Sequence, residues 1–227
     1  MQRLRPTQLA AALLGVALTG ACSYETGEPS PHVASATAPL SNAFESCNSD
    51  QIAKIQAALS QAYAYSLLAM NDIGQVGNGG DSTLFDTWFG NHSEYVFDTV
   101  DSTFAQIVDV FETATFVCGC SNPPPGTFGQ TQIFSPGRRI ELCQDYFTGD
   151  FEEVRIGALF HEASHVAGTD HFISPRCVAG DRKAWPRSVA EAAAVAPGLA
   201  AVSAEPYRLY ALRWKRDRRS TFNDACP

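Results

Sequence analysis

His161-Glu162-Ala163-Ser164-His165-Val166-Ala167-Gly168-Thr169-Asp170-His171 is the stretch from which the rest of the chain is read. On an α-helix His161 and His165 stand one turn apart on one face, with Cβ atoms roughly 5–6 Å from each other. Two imidazoles at that spacing can share a metal ion. Zn²⁺ takes nitrogen ligands at about 2.0–2.1 Å in a tetrahedral shell, and a catalytic site leaves one position open for water. Glu162, one position on, is then the candidate general base for that water. A structural zinc site is closed by four protein ligands and has no use for such a glutamate. The pattern therefore points to a single catalytic Zn²⁺.

Working outward, the preceding residues have the composition of a capped helix. Asp150 is a candidate cap, and Glu152 and Glu153 suit the positive end of the helix dipole. Val154, Ala158, His161 and His165 share a stripe, flanked by Ile156, Leu159, Phe160 and Ala163 as apolar cover. Gly168 ends the helix and lets the chain turn back toward the metal.

The chain has 227 residues, 45% hydrophobic and 18% charged, enough for one substantial core. Its net charge is −8, and without the N-terminal segment carrying Arg3 and Arg5 it is −10, with 14 basic against 24 acidic residues. So acidic a chain is no candidate for nucleic-acid binding. Residues 1–21 read as an export signal: Arg3 and Arg5, the apolar run Leu9 to Leu18, then Thr19, Gly20 and Ala21 before Cys22. Such a run is too short to span a membrane. Leu18-Thr19-Gly20-Ala21-Cys22 is similar to the lipobox of bacterial lipoproteins, which makes Cys22 a candidate lipidation site and a membrane tether. Cleavage after Ala21 with simple secretion is the alternative.

Seven cysteines are odd in number for an exported protein. Setting Cys22 aside leaves Cys47, Cys118, Cys120, Cys143, Cys177 and Cys226, which suffice for three disulfides in an oxidising compartment, with the pairing open. Residues 22–46 are rich in Ser, Ala, Pro, Glu and Thr without a period and read as a flexible tether, so the folded domain is expected over 47–227.

Within that domain, Ser49 or Asp50 can cap a helix carrying Ile52, Ile55, Leu59, Ala62, Leu67 and Met70 on one face, ended by Gly74 and the glycines from Gly77 to Gly80. Leu84 to Gly90 is an aromatic packing segment. His92, with no partner at ligand spacing, reads as a surface or capping residue. Val96, Val100, Phe104, Ile107 and Phe111 mark a second long amphipathic helix. Short strands are expected within Thr113 to Cys120, Thr131 to Phe134 and Arg139 to Cys143, forming a small antiparallel sheet whose edge can bind an extended peptide by strand addition. A loop with Trp185 and Pro186, an alanine-rich helix over Val189 to Val195 and a last helix from Ser203 to Arg218 complete the chain. Its basic end, Arg213 to Arg219, reads as a solvated face.

Two family patterns touch the opening stretch. His161-Glu162-x-x-His165-x-x-Gly168-x-x-His171 matches the metzincin signature, but those enzymes carry a methionine after the motif, and the only methionines here are Met1 and Met70. The chain from about Cys47 to Ala211 resembles instead the aspzincin metallopeptidases, the group of deuterolysin and the peptidyl-Lys metalloendopeptidases. The resemblance rests on Trp88-Phe89-Gly90, Phe116-x-Cys118-x-Cys120, Ile140-Glu141-Leu142-Cys143, His161-Glu162-x-Ser164-His165, Gly168-Thr169 and Ser203-Ala204-Glu205-Pro206-Tyr207. It implies an α+β zincin-like fold, mostly helical, with the small sheet beside the metal helix. It also implies an exported zinc endopeptidase acting on peptides or proteins.

In that family the third ligand is the aspartate of a Gly-Thr-x-Asp motif. Read strictly, His171 stands at that position; a one-residue deletion would give the role to Asp170. His171, itself a competent ligand, is preferred. The family's oxyanion tyrosine is replaced by Ser174, or by Ile173 in the other register, with Tyr207 and Tyr210 as possible spatial substitutes. The resemblance places Glu205 and Tyr207 at the substrate pocket, but Arg208 stands where a second acid would favour lysine, so lysine preference is not carried over. These departures leave a second expectation open, a tethered pseudopeptidase that binds peptides without cleaving them.

Overall fold

The computed structural model describes residues 41–91, 93–124, 126–131, 137–148, 152–171 and 184–216, with the backbone alone at 184–188 and 213–216. All of them fall in one unit, Val33–Pro227. The export signal, Cys22 and most of the tether lie outside the described residues, as do His92, Asp150, Ile173, Ser174, Cys177, Cys226 and the basic side chains from Arg213 onward.

The first long helix, α1 (Ser49–Gly77), is capped by Asn48 and not by Ser49 or Asp50. The Asn48 side chain accepts from the Gln51 amide, and the Gln51 side chain accepts from the Asn48 amide, a reciprocal capping box. Gly74 does not interrupt it, because Ile73 and Val76 continue the buried stripe of Ile55, Ala58, Leu59, Ala62 and Ala69. The aromatic segment forms the short helix α2 (Thr83–Phe89), which buries Phe85, Trp88 and Phe89. After it, α3 (Glu94–Thr113) is capped by Ser93 and buries all five apolar residues expected of it.

Four strands form one sheet in the order β1-β2-β4-β3: β1 (Ala43–Glu45), β2 (Thr115–Cys118), β3 (Gly129–Gln130) and β4 (Arg139–Leu142). Only β3 and β4 are antiparallel; β1 with β2 and β2 with β4 are parallel, so the expected antiparallel sheet is a mixed one. One parallel pair involves β1, whose residues fall in the segment assigned to the tether, and the other joins two strands that were expected, β2 and β4. Phe44 pairs in register with Phe116 and stacks on it with ring centroids 6.1 Å apart. The whole of α1 to α3 is thus the crossover between two parallel strands, as parallel pairing requires. The strand beside β4 is Gly129–Gln130, just before the expected Thr131 to Phe134, of which Thr131 is not in a strand and residues 132–134 are outside the described set.

Two disulfides close this layer. Cys47 pairs with Cys118 and Cys120 with Cys143, which binds the Cys-x-Cys pair into the sheet.

The short helix α4 (Gln144–Thr148) leads to α5 (Glu152–Val166), which carries His161 and His165, and α6 (Ala184–Val195), α7 (Pro197–Ala200) and α8 (Ala204–Arg216) follow. Trp185 and Pro186 belong to the first turn of α6 and not to a loop, a position where proline's missing N–H removes no helical hydrogen bond. α5 is the central element, packed against α8, α1 and α3 and touching β3 and β4. Ile156, Leu159, Phe160 and Ala163 are fully buried in these contacts, with Phe160 edge-on to Phe111 at 5.2 Å.

Candidate metal centre

Two histidines come from the last turns of α5 and a third from the turn that follows. Gly168, with φ of 100°, ends the helix in a Schellman motif. Its amide donates to the His165 carbonyl at 2.9 Å, and the Thr169 amide donates to the Ser164 carbonyl at 3.0 Å. A side chain at this left-handed position would be strained, so the glycine is what lets the chain reverse. Residues 169–171 are then pinned to the start of α8: the Asp170 amide donates to the Val202 carbonyl at 2.8 Å, and the Ala204 amide to the Asp170 carbonyl at 3.0 Å. His171 is thereby carried over the helix, its ring centroid 4.3 Å from that of His165 and 5.1 Å from that of His161.

One ring nitrogen from each of His161, His165 and His171 lies within 4.8 Å of the others. The Asp170 carboxylate turns instead to accept from the His171 amide at 2.7 Å. The His165 Nδ1–H donates to the Thr169 carbonyl at 2.8 Å, and His161 Nδ1 stands 3.3 Å from the Glu205 carboxylate. Both contacts leave Nε2 as the inward-facing nitrogen, and the two Nε2 atoms are 3.2 Å apart. Ligands at about 2.0–2.1 Å from a tetrahedral metal would stand roughly 3.3–3.4 Å apart. Two unprotonated nitrogens so close repel each other unless a cation joins them, so the donor set fits Zn²⁺ on its chemistry and its spacing. Burial, and then the neighbouring His161, press His165 down to about 4, which keeps it neutral and able to ligate at neutral pH.

Glu162 is only 6% exposed, and burial pushes its carboxyl up to about 7 against the pull of His161. It lies against the backbone of β3. A Cβ at Gly129 would stand 2.7 Å from Glu162 Cγ and 3.0 Å from Oε1, closer than side chains tolerate. Gly129→Ala is therefore expected to displace the carboxylate by a sizeable fraction of an ångström and to lower turnover by about 10²-fold. Zinc content should be unaltered, which a paired metal and activity assay checks. No motif in the sequence pointed to Gly129, since the contact joins elements distant along the chain.

The residues expected at the substrate pocket are differently employed. Tyr207 is fully buried, packed against Phe89 at 5.0 Å and Phe104 at 5.2 Å, and its hydroxyl donates to the Ala201 carbonyl at 2.6 Å. It has no surface to offer a substrate. Tyr210 is likewise buried, and its hydroxyl donates to Asp72. Neither phenol is available as an oxyanion donor. Glu205 is 7% exposed, with one carboxylate oxygen toward His161 and the other accepting from Arg208 Nε. Burial pushes its carboxyl up, but the Arg208 charge and the His161 contact outweigh this and hold it below the ordinary range.

The fold built around these histidines has a counterpart among solved structures. The chain is similar to a zinc peptidase from Grifola frondosa, with a TM-score of 0.58 and 20% sequence identity over 75% of this chain and 99% of that one. No family model matches the sequence, and no curated protein matches it.

Proposed function

We propose that this protein is an exported zinc-dependent metalloendopeptidase. The observation that carries the reading is the convergence of His161, His165 and His171 at the end of α5, with Glu162 buried beside them. His161, His165 and His171 hold one zinc ion, with Asp170 securing the His171 backbone. Zinc bound there would supply Lewis acidity to a peptide carbonyl and to a water molecule. The Glu162 carboxylate would take a proton from a water whose oxygen adds to the carbonyl carbon, and would return it to the amine nitrogen as the C–N bond breaks. An extended peptide lies along β3, which ends the sheet and has no strand on its outer side among the described residues. The contact of Gly129 with Glu162 sets this edge beside the base.

Export and attachment complete the reading: removal of residues 1–21, lipidation of Cys22 and a tether leading to β1. Two disulfides favour an oxidising compartment, and no helix among the described residues is long and apolar enough to cross a membrane. Palmitate labelling of the chain and of Cys22→Ser tests the anchor; equal labelling of both removes it.

A second reading, a surface-tethered module that binds peptides without cleaving them, is favoured by one observation. The hydroxyls of Tyr207 and Tyr210 are committed inside the core. Losing an oxyanion donor typically lowers turnover by about 10²–10³-fold. Bound zinc and casein cleavage by the purified protein, before and after chelation, separate the two. The peptidase reading expects stoichiometric zinc, cleavage that stops on chelation and returns with zinc, and a chelator-induced fall in thermal midpoint. Zinc binding without cleavage of any peptide supports the binding module.

A further inference from the structure

We propose that Glu205 and Arg208 form a positioning pair for His161, holding its Nδ1 so that Nε2 faces the metal. The inference rests on the zinc reading of the three-histidine site but not on peptide cleavage. His165 and His161 solve the same problem differently. The Nδ1–H of His165 donates to a main-chain carbonyl fixed by the helix end, that of Thr169. For His161, one turn earlier, the acceptor beside Nδ1 is the Glu205 carboxylate, 3.3 Å away on the first turn of α8. A carboxylate in that place fixes the tautomer and makes the imidazole a stronger donor to a cation.

A buried carboxylate needs its own compensation. Arg208, three residues on in the same helix, supplies it through Nε to the other oxygen, with its side chain only 15% exposed. The Arg208 and Leu212 side chains of α8 pack closely over Gly157, one turn before His161 on the same face. A Cβ there would stand 3.2 Å from Leu212 Cδ1 and 3.4 Å from the Arg208 Cδ and Nη1 atoms. Gly157, His161, Glu205 and Arg208 thus form one arrangement, in which a bare helix surface admits the arginine that holds the acid that holds the ligand. Both oxygens of Glu205 are engaged, which removes it from the substrate.

The test measures zinc affinity by competition with a chromophoric chelator, and the visible spectrum of the Co²⁺-loaded protein, for the full chain and three variants. Glu205→Ala is expected to weaken zinc by about 10–100-fold and to alter the cobalt bands. The double variant Glu205→Ala/Arg208→Leu removes both buried charges and so avoids stranding the guanidinium; it should show the same loss while remaining folded. Glu205→Gln keeps an oxygen that accepts from Nδ1–H and should recover most of the affinity. A folded double variant that binds zinc and colours with cobalt as the wild type does overturns the proposal. A wild type that binds no zinc overturns it together with the reading of the site, whereas zinc binding without peptide cleavage sinks the peptidase alone.

Discussion

Glu162→Gln is expected to lower peptide hydrolysis by about 10²–10⁴-fold while leaving zinc affinity unchanged. The amide matches the carboxylate in size, so the contact with Gly129 and the burial around it persist. What is lost is the capacity to take a proton from water and deliver it to the leaving nitrogen. Single-turnover cleavage of a fluorogenic peptide by zinc-loaded wild type and variant reads the effect. Equal cleavage by the two would remove Glu162 from the chemistry.

The second large effect is on stability. Replacing Cys47 and Cys118 together by serine opens a link between residues 71 apart in sequence. By loop-closure entropy the loss is about 4 kcal/mol, equivalent to a fall in thermal midpoint of roughly 8–16 °C for a domain of this size. The same cut frees β1, a strand of three residues paired on one side only. Opening the Cys120–Cys143 link, with its separation of 23 residues, should cost about 3 kcal/mol. Scanning calorimetry of the two double variants checks both the size and the order. A change under about 1 kcal/mol for the longer link would show that the unfolded chain is already constrained there.

How much of this was legible before the structure depended on how local each feature is. The α5 stripe, the glycine stop and the turn toward His171 are set within about twenty residues, where helical period and cap chemistry decide. The same holds for α3, where every residue of the expected apolar stripe is buried, with Thr103 and Val110 beside them. β1 was hidden because its composition is that of a linker and its partner, Phe116, lies 72 positions away; only the fold supplies the reason for Phe44 to be there. The parallel pairing of β2 with β4, both expected as strands, is set by how the intervening chain returns and not by local composition. Glu205 and Tyr207 read in the sequence as one pocket pair. On α8 they are two residues apart and face different neighbours, one His161 and the other the aromatic core with Phe89 and Phe104. A helix has no way to present both to one pocket, and that spacing was the available signal.

The different placements of Asp170 and His171 in the turn after Gly168 have a local reason as well. The Asp170 carboxylate caps the His171 amide, and its backbone bridges to the segment before α8. Residue 170 is thus tied down on both sides, and residue 171 is the one whose ring is free to join the other two imidazoles.

The most direct test is the coordination shell of the zinc-loaded protein, read by X-ray absorption at the zinc edge together with a crystal structure of the holo form. The account predicts one zinc per chain, with His161 and His165 bound through Nε2, His171 as the third ligand, and an oxygen from solvent in the fourth position, at about 2.0–2.1 Å. A zinc held by Asp170 in place of His171, or a fourth protein ligand closing the site, would contradict it.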